Sequence, residues 1–375
     1  MQQLITPEQW LKARRVLYMT HLAIGDYYYQ RTYLAELQRQ YPHLTIDVWI
    51  DDCRSRPKPW HAGRNNTLCQ WLASEEHIDD IYPIADSKKE RKALICKAQA
   101  KNYDIIVFLA RVRTENYAKV ARKISSSAFV VGTRTKPLKK WLKKLLAFNK
   151  LDAYLTLEDE NMKGGKHINQ IYHNLFQRLL GLKIEKDIPI AELSVPKEHN
   201  ESILTWLHSL KKRHQEALSL PTPPKAILIN HLSTNPGRDL AWEKLVEVLS
   251  AVNSKHPECL FILNVPPAET ETIHNQAELS SELSNVNIEV FTANEHFFQL
   301  PALIKHCDIV LTVETAIMHL ASGLNSPQVV LMRKNAEHWC PVNASKVLYG
   351  KSKVNDIPTQ DTLQAIFALI KQSNE

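Results

Sequence analysis

The sequence predicts an α/β protein built as two doubly wound domains facing a central cleft, and three observations predict it. At 375 residues the chain is more than twice the roughly 150 residues of an ordinary single core. Short apolar runs alternate with helical patterns through both halves, the rhythm of a mostly parallel, helix-covered sheet. Between the halves stands the proline-rich stretch SLPTPPK, which cannot continue a helix and separates one alternation from the next.

The first alternation opens with a strand over Val16 to Met19, the turn-prone THLAIGD, and a helix through Tyr33, Leu34 and Leu37. A strand follows over Leu44 to Ile50, then a helix near Thr67 to Ser74, the run IDDIYPI, a helix in KKERKALICKAQAKNYD, the strand IIVFLA and the strand in SSSAFVVG. From Ser194 the chain is helical and then proline-rich, with the linker over Leu218 to Lys225. The second alternation runs AILINH, a helix over Ala241 to Val252, CLFILNV, a helix near Ala268 to Glu282, NIEVF, a helix over Leu300 to His306, DIVLTV, a helix, and QVVLM. The expected domains are 1–190, a connecting helix and linker over 191–225, a second domain over 226–355, and a C-terminal helix over 356–375 packing back on the first domain.

Composition narrows the function classes. With 44% hydrophobic and 23% charged residues the chain is expected to be globular and soluble, not disordered. The opening MQQLITPEQWLKARR has no apolar core of signal-peptide length, and no run approaches the roughly 18 apolar residues that span a bilayer, so a cytoplasmic address is expected. Six scattered cysteines form no CxxC pair or ligand spacing and read as reduced packing residues. Lysine and arginine outnumber aspartate and glutamate by 47 to 40, so an anionic partner is expected. The basic residues are dispersed, with no basic-aromatic module, which argues against nucleic acid. Neither GxGxxG nor a Walker loop is present, against a dehydrogenase or a P-loop ATPase. The pairs Asp51, Asp52 and Asp79, Asp80 lack a second set of oxygen ligands and read as solvated turn residues; no metal and no cofactor are expected.

In a doubly wound sheet, ligands sit at the carboxyl ends of the strands, where helix starts offer N–H groups to phosphate. The loops of interest therefore follow Met19, Ile229, Val265, Val313 and Met332. After DIVLTV comes ETAIMHLASGLNSP and then QVVLMRKNAEHWCP. The run resembles the signature of the family-nine glycosyltransferases of the ADP-heptose:lipopolysaccharide heptosyltransferase kind, with Glu314, Thr315, Ala316, His319, Leu320, Ala321, Pro327, Trp339 and Pro341 on its pattern. Two positions depart from it. Glutamate stands where aspartate is usual, and Ala316 where glycine lets the backbone approach a diphosphate.

The resemblance implies a GT-B architecture of two Rossmann-like domains and inverting, metal-independent transfer of heptose from ADP-heptose to the inner core of lipopolysaccharide, on Kdo. HLAIGD resembles the family's Leu-Gly-Asp loop, with Gly25 in a tight turn on the acceptor side and Asp26 opening the next helix. Asp26 is then the general base, since inversion needs one carboxylate to take the acceptor's proton; read by itself, an aspartate there is also an N-cap. INHLSTNPGRDLAW resembles the loop where a basic residue precedes a tryptophan, which makes Arg238 the group that neutralises the leaving ADP, with Ser233 and Thr234 as phosphate contacts. The family has lysine directly before its Trp-Pro pair, whereas Asp239, Leu240 and Ala241 intervene here. In PPAETET, Glu269 stands where the family places the acid that holds the ribose. In GKHINQIYHNLFQRLLGL, His167 matches a histidine of the family's helix.

Arg111, Arg113 and Arg134 lie in loops after strands of the acceptor half, suited to phosphate or carboxylate groups of the acceptor. KPLKKWLKKLLAFNK puts Leu138, Trp141, Leu142, Leu145 and Leu146 opposite Lys139, Lys140, Lys143 and Lys144. Such a basic amphipathic helix suits peripheral contact with an anionic inner membrane, and equally a surface helix with its apolar side in the core. Two further readings stay open beside heptosyl transfer: a related transferase with a different nucleotide sugar or acceptor, and a catalytically silent binding relative.

Overall fold

The computed structural model describes residues 3–21, 23–54, 58, 61–135, 148–157, 167–184, 190 and 192–372. They fall into two compact units, Met1–Ile190 and Ala191–Glu375. The basic amphipathic segment around Leu138 to Leu146 lies outside the described residues. Among the described residues no helix is long and apolar enough to cross a membrane.

The first unit runs α1 (Pro7–Lys12), β1 (Arg15–Thr20), α2 (Ile24–Gln40), β2 (Thr45–Trp49), α3 (His61–Ala73), β3 (Ile81–Tyr82), α4 (Lys88–Gln99), β4 (Ile105–Leu109), α5 (Thr114–Ile124), β5 (Phe129–Arg134), β6 (Ala153–Thr156) and α6 (Ile168–Leu179). Its strands are parallel in the order β3-β2-β1-β4-β5-β6. The second unit runs α7 (Lys197–Ala217), β7 (Ala226–Asn230), α8 (Trp242–Lys255), β8 (Leu260–Asn264), α9 (Thr270–Leu279), β9 (Ile288–Phe291), α10 (Gln299–His306), β10 (Ile309–Val313), α11 (Ala316–Gly323), β11 (Gln328–Arg333), β12 (Lys346–Gly350) and α12 (Thr359–Gln372). Its sheet, also parallel, is ordered β12-β11-β10-β7-β8-β9, the same winding as the first. The strand order reverses between β1 and β4 in one unit and between β7 and β10 in the other, so each unit has one switch point.

Helices on both faces leave the inner strands no polar side, which is why IIVFL, AILIN, LFILN and IVLTV are buried at every position. The second unit's core shows the packing. Leu245, Leu249 and Val252 of α8 and Ile366, Leu369 and Ile370 of α12 close over Ile227, Ile229, Leu311 and Val313 of the sheet. Each such side chain, fully buried, stabilises the unit by roughly 1.5–3 kcal/mol.

Several expectations change. The apolar face of α12, with Ile366, Leu369 and Ile370, is buried within the core of the second unit. α7 belongs to the second unit as well, its Lys211 Nζ lying 2.8 Å from Asp308, and the proline-rich stretch after it is a turn into β7. The helix expected near Thr67 starts at His61, and β6 and β12 are additional strands. At the end of α6, Gly181 adopts φ +66°, and a Cβ there would lie 2.1 Å from the Ile5 carbonyl oxygen, so this helix end admits no side chain.

Candidate active site

A doubly wound sheet sends its helices to opposite faces on either side of the order reversal, so the two loops that diverge there leave a crevice at the carboxyl ends of the strands. In the second unit those loops follow β7, carrying Ser233, Thr234 and Arg238, and β10, carrying Glu314 and Thr315. The topology therefore brings together residues more than seventy positions apart.

Glu314 is buried and held at two points by Arg333 at the end of β11: Nε donates to Oε2 at 3.0 Å and a terminal nitrogen to Oε1 at 2.8 Å. Hydrogen bonding to Glu314 raises the Arg333 pKa. Arg238, in a short 3-10 turn after β7, places its Nε 3.9 Å from Glu314 Oε1, and this Nε has no hydrogen-bond partner among the described residues. Two guanidinium groups thus approach one carboxylate, so these three side chains together carry one positive charge, while Asp239 of the same loop accepts from the Ser233 N–H.

A polar ladder crosses the strand ends beneath them. Asn264 Nδ2 donates to Asn230 Oδ1 at 3.2 Å, and Asn230 Nδ2 lies 3.3 Å from Thr312 Oγ1 and 3.2 Å from Thr315 Oγ1. Thr315 is also the N-cap of α11, accepting from the Ile317 N–H at 3.3 Å. Ala316 is the first residue of that helix, so its N–H belongs to the first turn, where the helix dipole is positive. His319, one turn on, is 3% exposed, with its ring 6.0 Å from that of Trp339; it packs behind the helix start.

Other expected donor residues stand differently. The Ser233 hydroxyl serves its own loop, donating to the Asn235 carbonyl at 2.8 Å and accepting from the Asn235 N–H at 3.0 Å, while Thr234 is exposed. Glu269 is exposed in a 3-10 turn before α9 and makes no capping hydrogen bond. His231, just after β7, is buried, and desolvation drives its pKa down to about 4 against the pull of Asp239.

In the first unit, Asp26 is the third residue of α2, whose N-cap is Ala23, so it is not a cap. Gly25 lies inside this first turn, which corrects its expected place in a tight turn before the helix. Tyr172 of α6 donates its hydroxyl to Asp26 Oδ1 at 2.6 Å, and the Arg111 guanidinium lies 5.9 Å from the Tyr172 ring. Asp26, in the first turn of the helix after β1, and Arg111, in the loop after β4, therefore meet at one buried tyrosine. Arg64 of α3 has its pKa lowered by burial, although the charges of Asp26 and Asp52 oppose this.

Asp51 and Asp52 are not solvated turn residues. Both are buried at the end of β2, Asp51 against the Arg91 guanidinium and the Ala85 N–H, Asp52 against Arg54 and Arg113. Burial alone would raise the Asp52 pKa, but His21, with Nε2 3.6 Å away, the hydrogen bonds from Arg54 and the charge of Arg113 hold it well below the ordinary carboxylate range. Arg113, which also donates Nε to the Asp52 carbonyl at 2.8 Å, is thereby committed within the unit. Arg134 donates to Thr156 Oγ1 at 2.9 Å and lies over the Tyr154 ring. Arg111 is exposed and, among the described residues, donates no hydrogen bond. His167 caps α6, accepting from the Asn169 N–H at 3.1 Å. Among the described residues no group of three or more His, Cys, Asp or Glu is placed to hold a metal ion.

The family model for glycosyltransferase family 9 (heptosyltransferase) matches residues 126–366, well over half of the chain. The chain belongs to glycosyltransferase family 9. It is therefore a sugar-transferring enzyme, and its two parallel sheets are the two halves of the GT-B fold. A crystal structure of a family 9 glycosyltransferase from Veillonella parvula is similar at TM-score 0.70 and 16% identity, over 96% of this chain and 98% of that one. ADP-heptose lps heptosyltransferase II of E. coli gives 0.67 and 17%, over 96% and 100%. E. coli heptosyltransferase WaaC with ADP gives 0.61 and 17%, over 95% and 99%. No curated protein sequence matches the chain.

Within this family 9 enzyme, Arg333, Asn230, Tyr172 and Arg64 belong to the switch-point clusters yet were not singled out from the sequence. Arg333 had a signal, a basic residue closing a buried strand in the same signature; the other three, inside strands or helices, had none.

Proposed function

We propose that this enzyme moves a heptosyl residue from ADP-heptose to a sugar hydroxyl, Kdo, in the inner core of lipopolysaccharide, with inversion. The acceptor oxygen attacks the anomeric carbon, forming the new C–O bond as the bond from that carbon to the diphosphate oxygen breaks. The hydroxyl proton goes to the Asp26 carboxylate, and ADP leaves with the bonding electrons. Arg238, with Arg333 beside it, balances the charge that builds on the diphosphate, and backbone N–H groups near Ala316 to His319, at the start of α11, hold it. Thr315 and Glu314 border this donor site, Ser233, Thr234 and Glu269 supply further donor contacts, and Gly25, Arg111, Arg113 and Arg134 line the acceptor side. No metal takes part in this scheme.

The observation that carries the reading is the convergence of Arg238 and Arg333 on Glu314 beside the start of α11, at the switch point of a doubly wound unit. A diphosphate suits that place and charge. The E. coli relatives named for ADP-heptose and for ADP support the choice of donor. The net charge of +7 suits an anionic acceptor and a peripheral place at the cytoplasmic side of the inner membrane. Arg113 and Arg134 are the weakest of the acceptor assignments, since both guanidiniums are engaged within their own unit.

A thermal-shift screen of ADP, UDP, GDP and their sugars tests the donor, because a ligand bound by the native state alone raises the melting temperature. ADP-heptose is expected to give the largest shift, and a preference for UDP or GDP sugars overturns the heptose assignment. Slow release of ADP from ADP-heptose in the absence of acceptor is expected of the same donor site.

The glutamate at 314 supports a second reading, transfer from a different nucleotide sugar. Its carboxylate is tied to Arg333, so the charge met by a donor differs from that of a free aspartate. The same screen decides between the two.

A further inference from the structure

From the hydrogen-bond chain that ends on Asp26, we infer that Tyr172 is a positioning residue for the transfer reaction: it fixes one oxygen of the Asp26 carboxylate and leaves the other to take the acceptor's proton. The inference rests on Asp26 being the base.

The chain has four members. Tyr18 donates to Gln30 Oε1 at 2.7 Å, Gln30 Nε2 donates to the Tyr172 hydroxyl at 3.3 Å, and Tyr172 donates to Asp26 Oδ1 at 2.6 Å. Its direction follows from donor counting. An ionised carboxylate only accepts, so the single Tyr172 proton goes to Asp26. The phenol oxygen must then accept, which requires the amide nitrogen of Gln30 to face it. The amide oxygen is left to receive the Tyr18 proton, and each buried group finds a partner of the right kind. A reversed Gln30 would set two acceptors against one proton.

The chain is also stiff. Tyr18, Gln30 and Tyr172 are each at most 2% exposed, and Tyr172 packs between Tyr29, at a centroid distance of 6.3 Å, and Phe176, at 6.4 Å. Burial, with the nearby Asp26 charge, raises the Tyr172 pKa well above its ordinary value, so the phenol keeps its proton at working pH. Asp26 sits in the first turn of α2, where its short side chain would otherwise sample more than one rotamer. A base that must meet a hydroxyl at hydrogen-bond distance gains from having that rotamer chosen in advance.

The test compares Tyr172→Phe and Asp26→Asn with the unmodified enzyme, measuring kcat, both KM values and the melting temperature. Tyr172→Phe keeps the buried ring and removes only the donor. It is expected to lower kcat about 10-fold or more while both KM values stay within about twofold. Asp26→Asn is expected to abolish turnover. If Asp26→Asn stays active, the assignment of the base fails and this inference goes with it. If Asp26→Asn is inactive while Tyr172→Phe keeps kcat within about twofold, the base stands and the positioning role is overturned. Should Tyr172→Phe not fold, Gln30→Leu breaks the chain one step earlier; a kcat about 3-fold lower with unchanged KM supports the role, and an unchanged kcat overturns it.

Discussion

Arg333 and Glu314 are joined by a two-point contact, 3.0 Å and 2.8 Å, between the end of β11 and the residue after β10. The pair spans neighbouring strands, and the Glu314 side chain is only 7% exposed.

Replacing Arg333 by methionine removes both donors and leaves this carboxylate to Arg238, which is 3.9 Å away. An expected loss of roughly 1–3 kcal/mol follows, below the full cost for a sealed pair because the arginine keeps some contact with water. Urea unfolding of Arg333→Met beside the double variant Glu314→Gln, Arg333→Met checks it. The double variant should recover part of the loss, and an equally unstable one would refute the pairing.

Asp51 is fully buried, with the Arg91 guanidinium and the Ala85 N–H as its partners. Asp51→Ala strands Arg91 in a protein environment without its anion, and a loss of about 3–5 kcal/mol is expected. A loss of unfolding free energy of less than about 1 kcal/mol would mean that water satisfies Arg91 instead.

These aspartates mark where sequence reading stops. A carboxylate pair after a strand looks like a solvated turn, because its partners Arg91 and Arg113 arrive from separate strand-helix units, and only Arg54 is local. The inner strands are legible because burial on both faces leaves an unbroken apolar run, as in AILIN and IVLTV. Edge strands β6 and β12 are partly exposed, so AYLT and KVLYG carry no such run. Within the candidate site, the Glu314 to His319 signature is readable since its spacing is that of one loop and one helix turn. Its partner Arg333 is a neighbour only through the pairing of β10 with β11.

The buried His231 makes stability depend on pH. Its folded pKa of about 4 lies below the ordinary value of 6.5, so on acidification the unfolded chain takes up the proton first. Stability from this group is complete above pH 6.5, falls as pH drops from there towards 4, and is level below that. The gap is worth at most about 3 kcal/mol. Other histidines lowered by burial, such as His77 and His214, act in the same direction, so the measurement is a comparison. His231→Leu should lose less stability than the unmodified chain between pH 7 and pH 4.5 in urea titrations; parallel losses would show that His231 is protonated in the folded state.

Arg238 separates folding from function. Among the described residues its Nε carries no hydrogen bond, and it stands 3.9 Å from a carboxylate that Arg333 already holds, so the fold draws little from it. Arg238→Gln is therefore expected to shift the melting temperature by no more than about 2 °C. If its charge acts on the departing diphosphate, the same substitution lowers kcat roughly 100- to 1,000-fold, since that charge develops in the transition state and not in the bound donor. Arg238→Lys restores the charge without the planar fork and should recover part of kcat. Steady-state kinetics with saturating donor measure both. A normal kcat with a raised donor KM would instead make Arg238 a binding contact made equally in the ground and transition states.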